Sequence, residues 1–336
     1  MKHPSPSMWL KAIKIIPRLS RTEWDRLDLF SRWLISTRAA VFIMTILAAA
    51  VGGLWAWKDG TFHWHLFLIC CIGLVCAHAL NNLLNDLIDY KKGIDKGNYY
   101  RALYGPQPLE HGLMPVSRLL GYAAVTGLIA LSCAVLLIFF SGELILWLTL
   151  AGSVFVVFYT WPLKYTGLGE ISVLLVWGPL MTGGSYTAVS GGGWSWEVAL
   201  VGTIYALGPV TVLLGKHTDK RSQDLQKKVY TLPVIIGSLP ARILTVSLWI
   251  LQYFFIAWCI YSRIMPCTAA VVLLALPKLY QTVLKFRRPR PARKPTDLAK
   301  EVWPLYFSAY AFIYNRFFGL LFLTGLGAGI LIKKIF

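Results

Sequence analysis

Apolar residues fill this chain in long blocks, each closed by a short polar or basic stretch. Nine blocks stand out: 39–57, 64–87, 118–140, 143–161, 169–190, 196–215, 241–262, 267–284 and 306–332. Each approaches the roughly 20 residues that a helix needs to cross a bilayer core. The pattern predicts an all-α, polytopic membrane protein with nine transmembrane helices and no attached soluble domain. Residues 38–336 form that membrane domain. Residues 1–37 are too long and too rich in Trp and Asp for a cleavable signal. They are expected to stay on the protein as a cytoplasmic, partly interfacial segment.

Charge adds orientation to this picture. Threading nine helices from a cytoplasmic N-terminus puts 27 of the 33 Lys and Arg on one side, Lys2 and Arg101 among them. Only Lys58, Arg263, Lys333 and Lys334 fall on the other. Such a bias predicts N-in, C-out topology, in a bacterial cytoplasmic membrane or its equivalent. The net charge of +18 therefore needs no nucleic-acid partner. Even "RRPRPARKP" (287–295) reads as a topogenic clamp that also attracts anionic lipid. The six cysteines lie in or beside the apolar blocks without zinc-site spacing, and read as packing residues.

Candidate chemistry sits where two apolar blocks end. "NNLLNDLIDYKKGID" (81–95) puts three aspartates and three asparagines at the inner end of the second block. Carboxylates at a membrane edge are costly and mark functional sites. Asn85 and Asp89 share one helix face, Asp86 borders it, and Gly93 lets Asp95 fold back toward it. Oxygen ligands that include an amide suit a hard cation, Mg²⁺ above all. A solvated helix end neutralised by Lys91 and Lys92 is the plainer alternative. A second acidic, lysine-rich segment, "GKHTDKRSQDLQKKVYTLPVIIG" (215–237), follows the sixth block on the same side. Two such segments facing each other suit a metal-bridged diphosphate, which in a bilayer implies an isoprenoid chain. The aromatic complement, 14 Trp, 16 Tyr and 17 Phe, includes rings able to stabilise an allylic cation.

These residues carry a family resemblance. "NDLIDYKKGID" resembles the first Asp-rich motif of the UbiA superfamily of intramembrane prenyltransferases, and "TLPVIIG" (231–237) is similar to the tail of the second. "GPQPLEHGLMP" (105–115) and "YTGLGEISVLLVWGPLMTGGSY" (165–186) resemble the dihydroxynaphthoate, menaquinone-type branch. The resemblance implies nine helices around a central cavity, and Mg²⁺-dependent transfer of a polyprenyl group from a prenyl diphosphate to an aromatic acceptor. It places Asn85, Asp86, Asp89 and Asp95 at the first metal site and Asp224 at the second. The family's earlier aspartate falls on Lys220 here, with Asp219 offset by one residue. Asp219 and Asp224 then point about 140° apart on a regular helix, and Lys220 and Asp224 can form an i,i+4 pair. The asparagines that often precede this motif are replaced by Lys216 and His217.

Asp89, Asp224 and Tyr159 are the candidate catalytic residues. Lys91, Lys92, Lys164 and Lys228 are the candidate diphosphate contacts. Tyr159 and Lys164 resemble a Tyr-x-x-x-Lys element with one residue too many, and a topogenic role for Lys164 stays open. Glu170 opens the fifth helix, where it suits the helix dipole or orients a substrate. His217 is a candidate base, and Arg38 either faces the cavity or snorkels. The remaining alternatives are a prenyltransferase with a non-quinone acceptor, an intramembrane terpene cyclase and a cation-coupled transporter. A transporter would place its carboxylates near mid-membrane, whereas these gather at one face.

Overall fold

The computed structural model describes residues 4–97, 100, 105–300 and 302–335. Lys2 and Arg101, counted above among the inner-side cations, lie outside the described residues, as does the side chain of Lys334. Among the described residues there are helices and no strands.

Three short helices precede the first span: α1 (Pro6–Lys14), α2 (Arg21–Arg26) and α3 (Leu29–Ser36). Their starts are written in the sequence. Ser20 and Glu23 form a reciprocal capping box at α2. Asp28 caps α3 by accepting the Ser31 amide at 2.8 Å, and also takes the Trp9 indole of α1. Trp24, Leu34 and Ile35 are buried against Ala79, Leu83 and Leu119 of the membrane helices. Residues 4–37 are thus packed onto the domain. Leu10, Ile13, Leu29 and Phe30 remain exposed on the outer side.

Among the described residues, seven helices are long and apolar enough to span a bilayer. They are α4 (Phe42–Lys58), α5 (Trp64–Lys91), α6 (Val116–Ser141), α10 (Trp196–Gln226), α12 (Ser238–Tyr261), α13 (Leu276–Arg287, entered through a 3₁₀ segment from Cys267) and α14 (Phe307–Ile335). The other two expected blocks differ in form. The fourth is a shorter helix, α7 (Glu143–Phe158), reached through a tight turn at Gly142 (φ +85°). The fifth is broken into α8 (Gly169–Leu175), a π-helical stretch (Val176–Gly183) and α9 (Gly184–Val189). Pro179 lacks an amide hydrogen and Gly178 leaves helical geometry (φ −80°, ψ −106°). A side chain at Gly178 would come within 3.0 Å of the Thr203 backbone, so the break lets this segment lie directly on α10.

Helix α10 is the centre of the bundle: 83% of its apolar window is buried, against 22% for the lipid-facing α6. It packs on the broken helix, α12 and α14. Pro209 interrupts its hydrogen-bond ladder, and Gln252 of α12 donates to the carbonyls of Ile204 (2.9 Å) and Tyr205 (3.5 Å). In a bilayer the Tyr205 carbonyl, which loses the amide partner at position 209, needs an internal donor. The helix runs eleven residues past the apolar block that predicted it, because the charged stretch 216–226 continues the same spiral. Leu232–Ile236 follows as the short α11.

Candidate active site

The C-terminal ends of α5 and α10 line one polar cavity with about 450 Å³ of empty space, its solvent-open part included. Asn85, Asp89 and Asp95 stand on one wall and Lys216, His217, Lys220 and Asp224 on the other. Arg38, Tyr159 and Lys164 complete the lining. Segments 85–95 and 216–224 therefore meet, on one face of the bundle.

Each acidic group is held in place by a neighbour. The Lys164 ammonium donates to both Asp89 oxygens at 2.8 Å. It reaches them from the 3₁₀ turn Leu163–Thr166 that follows α7. The Asn85 amide donates to Asp89 (3.1 Å) and to the Thr160 hydroxyl (3.2 Å). Gly93 (φ +66°) reverses the chain after α5 and returns Asp95 to the cavity. Gln107 then donates to Asp95 (3.0 Å) and to the Asp86 carbonyl (3.1 Å), while its own carbonyl accepts the amides of Leu109 and Glu110. Lys227, just beyond α10, donates to the carbonyls of Gly93 and Lys96 at 3.0 and 3.1 Å. The two acidic segments are thereby fastened to each other. Across the cavity, Lys220 lies 3.5 Å from Asp224, the i,i+4 pair that the spacing allowed.

Five expected residues do not line the cavity. Asp219 points away: its two oxygens accept the amides of Phe307 and Ser308 at 3.1 Å and cap α14. Helix α10 stays regular through this stretch, so the 140° offset holds and Asp219 leaves the metal set. Asp86 is buried in an ion pair with Arg38, which also approaches the Asn85 carbonyl. It supports the wall from behind. Lys91, Lys92 and Lys228 are exposed. Lys92 instead covers the rings of Trp161 and Tyr165, at 4.8 and 5.5 Å. Among the expected lysines only Lys164 reaches the cavity, and Lys216, Lys220 and Arg38 supply its other cations.

Beneath the polar cavity lies a mostly apolar chamber with about 1200 Å³ of empty space, again counting what is open. The two share Arg38, Asn85, Tyr159 and Lys216. A second chamber of about 1170 Å³ runs on between α5, α6, α7 and α9. It meets the first at Ala77, Gly152, Val156, Val176 and Met181. A charged head site thus opens into a long apolar path.

Among the described residues no three His, Cys, Asp or Glu side chains stand close enough to hold a metal ion alone. The donors around the cavity are carboxylate and amide oxygens. This fits Mg²⁺, which typically binds through one or two carboxylates and completes its octahedron with water and substrate phosphate.

The sequence profile of the UbiA prenyltransferase family matches residues 44–305. The chain belongs to that family. It is a prenyltransferase of the UbiA fold, embedded in a membrane. Among its relatives is the zebrafish (Danio rerio) UbiA prenyltransferase domain-containing protein 1, 28% identical over 293 residues that cover 84% of each chain. The chicken (Gallus gallus) protein of that name is 26% identical over 279 residues, 80% of each. A solved UbiA homologue from Aeropyrum pernix K1 superposes with a TM-score of 0.57 at 16% identity, over 87% of this chain and 98% of that one. Another, from Archaeoglobus fulgidus and bound to DMAPP and Mg²⁺, gives 0.51 at 14% identity, over 87% and 99%. At these identities the solved structures establish the fold.

Gln107 and the Arg38–Asp86 pair escaped the sequence reading of the site. Gln107 stands inside a quoted motif, but only the folded chain shows what it holds.

Proposed function

We propose that this UbiA-family enzyme transfers a polyprenyl group from a Mg²⁺-bound prenyl diphosphate to a carbon of an aromatic acceptor, a 1,4-dihydroxy-2-naphthoate-like ring of quinone biosynthesis. The observation that carries this reading is the continuity of the polar cavity with the apolar path. The charged lining of the first suits a diphosphate and the apolar lining of the second an isoprenoid tail. The Archaeoglobus fulgidus homologue holds a short prenyl diphosphate with Mg²⁺, which supports the same pairing here.

Asn85, Asp89, Asp95 and Asp224 would hold the metal. When bound, it supplies charge neutralisation for the departing diphosphate. Lys164, Lys216 and Lys220 hold the phosphate oxygens through charge-assisted hydrogen bonds. Tyr159, at the junction of head site and chamber, supplies an aromatic ring where allylic charge develops. The naphthoate-type acceptor rests on the motifs at 105–115 and 165–186, whose Gln107 and Glu170 stand at the site's edge. The bias of basic residues supports an N-terminus on the cytoplasmic face and a C-terminus on the opposite one. Residues 4–37 then lie along the inner surface.

The test is a product analysis. Membranes containing the chain are given geranylgeranyl diphosphate and a panel of naphthoate, benzoate and homogentisate acceptors. A Mg²⁺-dependent prenylated naphthoate, identified by mass, is expected. A product formed only with another acceptor, or a cyclised hydrocarbon, would refute the acceptor assignment.

A size-exclusion prediction also follows from the path. Gly152 lines the neck between the two chambers, and a Cβ there meets nothing within 4 Å. Gly152→Phe should fold normally and plug the neck. Its kcat/KM for geranylgeranyl diphosphate should fall at least about 10-fold, with geranyl diphosphate little affected, the range a blocked apolar pocket produces. Equal losses for both substrates would show that the tail takes another route.

A further inference from the structure

We propose that His217 is the general base of the transfer, acting on a hydroxyl of the aromatic acceptor, with Glu170 as its positioning residue. This rests on the reading above and adds the fate of the acceptor's proton.

The geometry is that of a carboxylate–imidazole dyad. His217 and Glu170 are 2% and 3% exposed, and Nδ1 lies 2.8 Å from Oε1. The ring sits against Gly169, where a Cβ would lie 3.6 Å from Cε1. With Nδ1–H committed to the carboxylate, the lone pair is left on Nε2. His217 lines the polar cavity and Nε2 makes no hydrogen bond among the described residues. The second Glu170 oxygen, Oε2, is buried and likewise has no hydrogen-bond partner among them. Its charge therefore stands ready for an imidazolium, as in hydrolytic triads.

The other carboxylates of the cavity already have partners. Asp89 is bonded to Lys164 and Asp95 to Gln107, and Asp224 is ion-paired with Lys220. An ammonium or a guanidinium has no lone pair to offer.

The step balances. The acceptor O–H proton moves to Nε2, leaving an oxyanion that enriches the ring carbon. That carbon bonds to the prenyl C1 as the C1–O bond breaks, and the diphosphate departs with the electron pair. The attacked carbon then loses CO₂ if it carries a carboxylate, or a proton that leaves with the diphosphate. His217 returns its borrowed proton to the product oxygen.

The experiment uses the full chain in lipid nanodiscs. Geranylgeranyl diphosphate binding with Mg²⁺ is measured by calorimetry, and turnover is measured on hydroxynaphthoates of graded hydroxyl acidity. His217→Ala should bind the diphosphate as the wild type does, while kcat falls about 10²-fold or more, the usual worth of a general base. The loss should shrink as the acceptor hydroxyl becomes more acidic, and added imidazole should restore part of the rate. Glu170→Gln should show a smaller loss with the same acidity trend. His217→Gln keeps a hydrogen bond to Glu170 without a comparable base, and serves if the alanine variant folds poorly. Turnover at the wild-type rate in both His217 variants would overturn the proposal. So would a loss that is identical for every acceptor and deaf to imidazole. A wild type that binds the diphosphate but prenylates no hydroxyaromatic overturns the functional reading and the base together.

Discussion

Asp89→Asn is expected to remove prenyl transfer, by about 10³-fold or more, since a loss of that size needs only about 4 kcal/mol of transition-state stabilisation. Asp89 is central to its wall, touching Lys164 through both oxygens and Asn85 through one. The amide preserves shape and part of this bonding but removes the charge that would hold a divalent cation against a diphosphate. It also leaves the Lys164 ammonium buried without its counter-charge, a loss of about 3 kcal/mol in comparable pairs. Melting temperature should therefore fall along with activity. Adding Lys164→Gln should recover stability and not turnover. Wild-type turnover in Asp89→Asn, measured with geranylgeranyl diphosphate at saturating Mg²⁺, would rule out the metal assignment.

Asp219→Ala should lower stability and spare the metal site. Its carboxylate accepts two backbone amides at the start of α14, where unpaired donors would otherwise be buried. Losing a cap costs about 1–2 kcal/mol, and each buried donor left unpaired adds a similar amount. The variant should melt earlier, and the start of α14 should exchange its amide hydrogens faster. The Mg²⁺ concentration giving half-maximal prenyl diphosphate binding should stay unchanged. A shifted Mg²⁺ dependence without loss of stability would return Asp219 to the metal site.

The contrast shows what a linear reading can reach. The pairing of Asn85 with Asp89 follows from helical spacing, and so does the opposition of Asp219 and Asp224. Lys91 was legible in the same way. It lies about 200° around the helix from Asp89, so it could not share that face while α5 continued. Charge composition suggested a phosphate contact there, and rotation forbids it. Lys216 and Lys220 stand on the cavity face of α10 with Asp224, a placement that required knowing α10 continues past its apolar block. The Arg38–Asp86 pair joins residues 48 positions apart through tertiary packing alone. No local pattern announces it. The break in the fifth helix at Gly178 and Pro179 was not expected, and the structure shows what it allows, direct backbone contact with α10.

The Lys227 clasp has a chemical corollary. By joining the turn after α5 to the end of α10, with Gln107 bracing the same turn, it makes three remote stretches of chain behave as one cover. Loosening any one of these bonds should then loosen all three stretches, so the cavity's inward-facing geometry is a collective property of the clasp.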